Sequence, residues 1–533
     1  MSTYQDNEKY GEERVEYTEK SSRRASVAEE VLDLSGIEAT AASKAAWLIS
    51  LTISQAGLLF GYDTGYISSV LVTLGSALGH ELSHSEEELV TSLTSGGALV
   101  GAVYAGLSAD KYGRKMPIWV ACVLFLVGTI LQTAAFSVAQ FAVGRFIVGL
   151  GVGSASMIAP LFIGEIAPAR YRGRMIAFNN LSVTFGQFIA SCLGAGFQHA
   201  GPQGWRATVG IGAIPAITLA GLLFFVPESP RQLVAHGKVE QADRSLQKIY
   251  TTSTEQQRAN KIKSIQVSLE ETKSVMSETS LWQTAGKIFT NAATARAVGT
   301  ACIVMAVSQL GGFNTLMYYA ATLFAIAGFS NATAVAITVS ATNFVFSFVN
   351  LVLVDRFGRR IILCVTILGM AICMAVAAIS FHFIPISQAD LSISGVAPTW
   401  AAPLLLVAIV CYVAFFSSGV ATIAWIGTEL IPLEVRAIGT MFNTVTCWST
   451  NIIIASTFLS IMKGASPTGA FSLYGSICFL GWLFVIFCYP EVKGMPLESI
   501  REVFQNGFGV RYSKQWQREN KHVPKVVTQT FAH

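Results

Sequence analysis

The stretch Ala56-Gly57-Leu58-Leu59-Phe60-Gly61-Tyr62-Asp63-Thr64-Gly65-Tyr66-Ile67-Ser68-Ser69 holds one acidic residue, Asp63, inside an apolar run from about Ala45 to Leu74. Roughly 20 helical residues cross the ~30 Å hydrocarbon core of a bilayer, so the run is long enough to span one. A charged, unpaired carboxylate at that depth costs about 2.5–3.5 kcal/mol. A cationic partner on another helix relieves that cost, and so does a bound proton. A group that alternates between the two couples proton movement to something else, so Asp63 is a candidate proton carrier in a solute transporter. The alternatives are a permanent structural ion pair or a carboxylate close enough to the helix end to reach water.

Composition agrees with a membrane setting. Of 533 residues, 52% are hydrophobic and 13% charged, whereas soluble domains carry about 25% charged residues. The net charge of +4 is too small and too scattered to point to nucleic acid. All nine cysteines fall in apolar runs, which suits buried small hydrophobes better than a disulfide or metal framework. The polar first 44 residues do not read as a cleavable signal peptide, so insertion would rely on the first span. No nucleotide loop, nucleophile elbow or metal cluster is legible, so neither an enzyme nor a cofactor is expected.

Apolar runs recur near 45–70, 90–109, 117–136, 138–160, 175–198 and 206–226. After a polar gap they recur near 297–322, 332–354, 361–383, 401–426, 437–461 and 471–489. The reading is an all-α membrane protein of twelve transmembrane helices in two six-helix bundles. Its units are a disordered N-tail over 1–44, a bundle over 45–226, linker helices over 227–295, a second bundle over 296–490 and a C-tail over 491–533. Val239 to Tyr250 and Ile262 to Lys273 are the helix-compatible parts of the linker. Lys111, Arg114 and Lys115, then Arg170, Arg172 and Arg174, then Arg356, Arg359 and Arg360 fill the short loops of one face. The loop from His80 to Glu88 has no Lys or Arg. By the positive-inside rule both tails and the linker face the cytoplasm. Arg23-Arg24-Ala25-Ser26 has the pattern of a basic-directed phosphorylation site, or of a plain solvated tail. The sequon at Asn331 sits so close to a helix start that it should go unused.

The halves echo each other. Asp110-Lys-Tyr-Gly113-Arg114-Lys115 returns 245 residues on as Asp355-Arg-Phe-Gly358-Arg359-Arg360. Glu165 and Arg172, seven apart, return as Glu429 and Arg436, and Pro227-Glu228 returns as Pro490-Glu491. Duplicated six-helix units that rock about a midplane site are a common route to alternating access. Asp110, Arg114, Glu165, Arg172, Asp355, Arg359, Glu429 and Arg436 are therefore candidates for a charge network on the cytoplasmic face. Such a network can hold one conformation and break in the other.

Through these motifs the chain resembles the sugar-porter branch of the major facilitator superfamily over roughly 45–510. The resemblance rests on Gly61-Tyr-Asp-Thr-Gly65, the Asp110 and Asp355 repeats, Gly144-Arg145-Phe146, Pro160 to Glu165, Arg172-Gly173, Pro227-Glu-Ser-Pro-Arg231 and Pro490-Glu-Val-Lys-Gly494. Gly61 to Leu71, Gly311 to Tyr319, Ala455 to Leu459 and Asn506-Gly-Phe508 look most like fungal myo-inositol transporters. The resemblance implies a central polyol site and, in proton-coupled members, an Asp on the first helix paired with an Arg on the fourth, here Asp63 and Arg145. Arg does not release its proton in proteins, so protonation would fall on Asp63. It further implies solute contacts from Asn180, Gln187, Gln309, Asn314, Tyr318, Asn343 and Trp425, bordered by Phe60. Gln309, Asn314 and Tyr318 are expected on one helix face. Amides both donate and accept, which suits neutral hydroxyls.

The chain departs from the family pattern at Asn180, Ser308, Ala424, Ile426, Gly427 and Cys447, with Asn451 one turn on as a substitute amide. These changes predict fewer hydrogen bonds to the solute or a bulkier solute. The expectation is a proton-coupled polyol or sugar symporter, myo-inositol first, in a fungal plasma membrane. Its partners would be the solute, the proton and the bilayer, with no metal, and the protein would act as a monomer. A facilitator for a hexose or another solute, and a nutrient sensor, are the alternatives.

Overall fold

The computed structural model describes residues 43–519, apart from 169–170, 278–285, 287, 388–390, 394–397, 433–434, 494, 496–502 and 506. Residues 1–42 of the expected N-tail, with the Ser26 site, lie outside the described residues, while Ser43 and Lys44, placed in that tail by the sequence reading, open span one. Among those described, eleven helices are long and apolar enough to cross a membrane. In order, spans one to five are Lys44–Thr73, His84–Tyr112, Lys115–Thr133, Val138–Ile166 and Arg172–Phe197. Span six is Gly204–Leu223 and span seven Ala292–Ile326. Spans eight and nine are Ala332–Phe357 and Arg359–Phe383, and span ten is Ala401–Leu430. Span twelve is Phe458–Cys488. Between the last two runs Arg436–Ala455, the eleventh span by position. It is less apolar because it carries Asn443, Thr444, Thr446, Ser449, Thr450 and Asn451.

Apolarity draws these helices into lipid, but lipid tails supply no hydrophobic drive between helices, so close packing must do that work. Small residues allow it. A Cβ on Gly61 of span one would lie 1.9 Å from the Val183 carbonyl oxygen of span five. Gly97 and Gly101 of span two meet span four at Gly149 and Leu150, so those backbones touch. Spans one and five, two and four, and three and six pack together, and seven and eleven, eight and ten, and nine and twelve repeat the pattern. The bundles meet through spans five and eight, two and eleven, and one and seven. The first two of these contacts exchange under the six-span repeat.

The linker forms helices Pro230–Ala235, Val239–Ile249 and Glu255–Ser277. Ser43, at the start of span one, donates its hydroxyl to the Ile249 carbonyl at 2.7 Å and so docks the second of these on the first bundle. The face bearing these helices is the linker face. Residues 386–387 and 392–393 form a short hairpin on the opposite, far face.

Several boundaries differ from the sequence reading. Span two starts at His84, so Glu86, Glu87 and Glu88 lie within the helix and not in a loop. A capping box of Ser83 and Glu86 starts it. Span seven is not continuous: it breaks at Gly311-Gly312, with Gly312 at φ 96°. Span eleven ends at Ala455, short of the expected 461, and span twelve begins at Phe458 and kinks at Ser466-Pro467. The C-tail is partly built: helix Val510–Glu519 buries Ser513, whose hydroxyl accepts from the Glu491 N–H at 3.2 Å. Asn331 caps span eight by accepting from the Ala334 N–H at 3.2 Å through Oδ1.

Candidate functional site

Arg145 Nη1 donates to Asp63 Oδ1 at 2.7 Å, with the two side chains 0% and 2% exposed. Spans one and four bring them together, and the close glycine contact between spans four and two places the Val90 carbonyl for Arg145 Nε at 3.1 Å. Tyr66, one turn beyond Asp63, lies 2.8 Å from Asp63 Oδ1 and 2.9 Å from the Gln132 amide oxygen. A hydroxyl has one proton. If Tyr66 donates to Asp63, turning the Gln132 amide over lets its nitrogen donate to Tyr66, and that nitrogen otherwise has no protein partner. Among the described residues, Asp63 Oδ2 and Arg145 Nη2 are also buried without a hydrogen-bond partner. Within the described residues the pair is therefore only partly satisfied.

The expected amides form two clusters. In one, Asn343 Nδ2 of span eight donates to Gln187 Oε1 of span five at 2.6 Å, and Ser417 of span ten donates to Asn343 Oδ1 at 2.7 Å. Ser417 sits in a π-helical turn, Phe416–Val420, that loosens span ten, a feature common at functional sites. Gln187 also reaches the Thr64 hydroxyl at 3.4 Å, beside Asp63 in the sequence. In the other cluster, Asn314 and Asn451 donate to Gln309 Oε1 at 2.5 and 3.4 Å. Tyr318 and Ser95 donate to Asn451 Oδ1 at 3.3 and 2.9 Å.

Gln309 and Asn314 lie on opposite sides of the Gly311-Gly312 break, so they do not share one helix face as expected. The break itself lets side chains five apart hydrogen-bond. Asn180 stands apart from both clusters, 3.4 Å from Thr422 of span ten. Phe60 of span one packs edge-on against Trp448 of span eleven, 5.7 Å between centroids. Trp425 is 40% exposed and joins neither amide cluster. The sequence reading did not single out Tyr66, Gln132, Thr64, Ser95, Ser417 or Thr422. Each is a short polar or aromatic residue in an apolar helix, and only the partner across the interface marks it out.

On the linker face, Arg114 holds Glu165 through Nε and Nη2 at 2.9–3.2 Å, with both side chains 8% exposed. The repeat pair, Arg359 and Glu429, is looser at 3.6 Å and more exposed. Arg436 donates to the Ile431 carbonyl at 3.1 and 3.2 Å, not to an acid. Arg172 makes no ion pair among the described residues. The side chains of Asp110 and Asp355 lie outside the described set. Glu228 accepts from the N–H groups of Arg114 and Lys115 at 3.1 and 3.2 Å, and Glu491 from those of Arg359 and Arg360 at 3.3 and 2.9 Å. Each carboxylate thus caps the span that follows the turn at Gly113 or Gly358. Both glycines have φ near 90°, and a Cβ on either would strike that carboxylate.

The bundles are joined from the midplane to the far face. Besides Gln187–Asn343 and Ser95–Asn451, the Ala321 N–H donates to Ser68 at 2.8 Å, Thr333 contacts Gln198, and Glu88 accepts from Ser460. Nearer the linker face only the 3.4 Å contact of Asn180 with Thr422 crosses among the described hydrogen bonds, while the Arg–Glu pairs stay within their own bundle. The cleft is closed on the far face.

A buried acid–base pair beside converging amides, between two repeated bundles, is the layout of a secondary transporter. The family described as sugar (and other) transporter matches residues 49–504, and the chain belongs to that family. It is 40% identical over 478 residues to Myo-inositol transporter 1 of Cryptococcus neoformans var. grubii, covering 90% of this chain and 84% of that one. The inward open conformation of the xylose transporter XylE from E. coli superposes with TM-score 0.71 at 26% identity, over 86% of this chain and all of that one. The proton:xylose symporter XylE bound to 6-bromo-6-deoxy-D-glucose gives TM-score 0.69 at 26% identity, over 86% and 99%. The fold is the major facilitator fold, with twelve spans in two bundles.

Proposed function

We propose that the protein is a proton-coupled symporter of a small polyol, myo-inositol first, working by alternating access. The observation that carries this reading is the sealed, only partly satisfied Asp63–Arg145 pair, adjoining the Gln187–Asn343 amides through Thr64. In water-poor surroundings an ion pair is weak evidence of stability, and replacing it with apolar side chains is often neutral or stabilising. A partly satisfied pair at the midplane is better explained by work done in a cycle. Protonating Asp63 weakens its hold on Arg145, which also donates to the Tyr66 hydroxyl at 3.0 Å on the same turn of span one.

In this reading Gln187, Gln309, Asn314, Asn343 and Asn451 bond to one another in the structure described and exchange those bonds for solute hydroxyls. Asn180, Tyr318, Phe60 and Trp425 border the solute. The relatives named as myo-inositol transporters support the solute class, and the proton:xylose symporter supports coupling. The linker face is the cytoplasmic face, with both tails on that side and the cell membrane as the site of action. The working units are the bundles 45–226 and 296–490, joined by 227–295, acting as a monomeric carrier and not as an enzyme. The Arg114–Glu165 and Arg359–Glu429 pairs brace each bundle at that face.

The test is uptake of labelled myo-inositol, hexoses and pentitols in a transporter-null host, with and without a protonophore. The reading expects myo-inositol accumulation that collapses with the protonophore. Equal uptake with and without it would leave a facilitator.

A further inference from the structure

Span twelve begins without a cap of its own. Thr457, at its N-cap position, makes no side-chain bond to the first turn, although a cap normally satisfies the third amide of a helix. That third residue is Ser460. Its N–H donates to Glu88 Oε1 at 2.7 Å, and its hydroxyl donates to Glu88 Oε2 at 2.6 Å. Glu88 belongs to span two, in the other bundle, and is 5% exposed. A carboxylate of one bundle therefore caps a helix of the other. The lengths are those of charge-assisted bonds, and a helix N-terminus favours an anion.

We propose that Glu88 is a positioning residue of the transport cycle: its carboxylate latches the far face shut by capping span twelve, and it sets how often that face opens. The clasp exists only while the far ends of spans two and twelve meet. On opening, the carboxylate passes to water and the first turn of span twelve loses its cap. The other far-face contacts between the bundles, Thr333 with Gln198 and the Ala321 N–H with Ser68, are neutral, so among the described residues the ionic part of the closure rests on Glu88. Two residues on, Val90 accepts from Arg145 Nε, so the turn that bears the latch also touches the ion pair. The inference rests on the alternating-access reading, but not on the solute or on proton coupling.

The test is hydrogen–deuterium exchange with mass spectrometry on the full chain in nanodiscs, without solute, comparing wild type with Glu88→Gln, Glu88→Ala and Ser460→Ala. The latch predicts faster exchange at the far ends of spans two, seven and twelve, together with slower exchange at the linker-face ends of spans four, five, ten and eleven. The change should be on the order of threefold in Glu88→Gln, larger in Glu88→Ala and smaller in Ser460→Ala, which keeps the amide bond. Opposite movement at the two faces reports a population shift that fraying of one helix end cannot give. Unchanged exchange, or a rise at the far face alone, overturns the proposal. If Glu88→Ala does not fold, the two milder variants carry the same comparison. Because no solute is present, failure here is separate from failure of the symport reading, which the uptake panel addresses.

Discussion

The guanidinium of Arg145 meets the carboxylate of Asp63 at 2.7 Å where neither side chain reaches solvent. Removing one member of such a pair strands the other charge in a low-dielectric setting, at about 3–5 kcal/mol. The two members are therefore not equivalent to mutate. Asp63 can become neutral by taking a proton, whereas Arg145 cannot lose one.

Arg145→Ala should lower thermal stability and abolish the wild-type pH dependence of uptake. Arg145→Lys, a single point charge in place of a planar fork, should hold Asp63 or the Val90 carbonyl but not both. A melting curve in detergent paired with a pH profile of uptake separates these effects. Wild-type pH dependence in Arg145→Ala would exclude the pair from coupling.

Asn343→Ala removes the donor to Gln187 and the acceptor for Ser417. Losing one or two hydrogen bonds to a solute should raise the half-saturation concentration by about five- to thirtyfold, at ~1–2 kcal/mol. Asn314→Ala should act similarly through Gln309. Uptake kinetics in each variant read this directly, and unchanged half-saturation in both would move the solute site elsewhere.

Glu228→Gln and Glu491→Gln test the linker-face caps. Each should lose about 0.5–2 kcal/mol, the usual worth of a helix cap. Gly113→Ala should cost more than Gly173→Ala, because Gly113 has φ 89° and no room for a Cβ beside Glu228, whereas a Cβ on Gly173 meets nothing within 4 Å. Thermal melts of the four variants decide the order.

The fold was legible because lipid imposes long apolar runs and the six-span repeat left paired motifs. Asp63 was legible because an ion in a span is rare, and Arg145 as its partner because the resemblance to sugar porters implies it. Much of the rest was not. Ser95, Ser417 and Thr64 look like ordinary helix hydroxyls until Asn451, Asn343 and Gln187 appear opposite them from other spans. The break in span seven was signalled by Gly311-Gly312, but the spacing of Gln309, Asn314 and Tyr318 read as helix. Glu228 and Glu491 stood out as repeat markers, while their role as caps needed the turns at Gly113 and Gly358 in three dimensions. The docking of the C-tail depends on Arg296 donating to the Phe504 carbonyl at 2.7 Å, a contact no local pattern announces.

Low pH on the far face should speed wild-type uptake, since loading requires a proton on Asp63, and should leave Asp63→Asn unaffected because that side chain has nothing to titrate.

The most direct measurement is proton flux alongside solute flux in proteoliposomes, for wild type and Asp63→Asn, under an imposed solute gradient. The account predicts that solute drives protons across the membrane in the wild type, and that Asp63→Asn still exchanges solute but moves no protons. Solute-driven proton movement that persists in Asp63→Asn, or that is absent from the wild type, would contradict it.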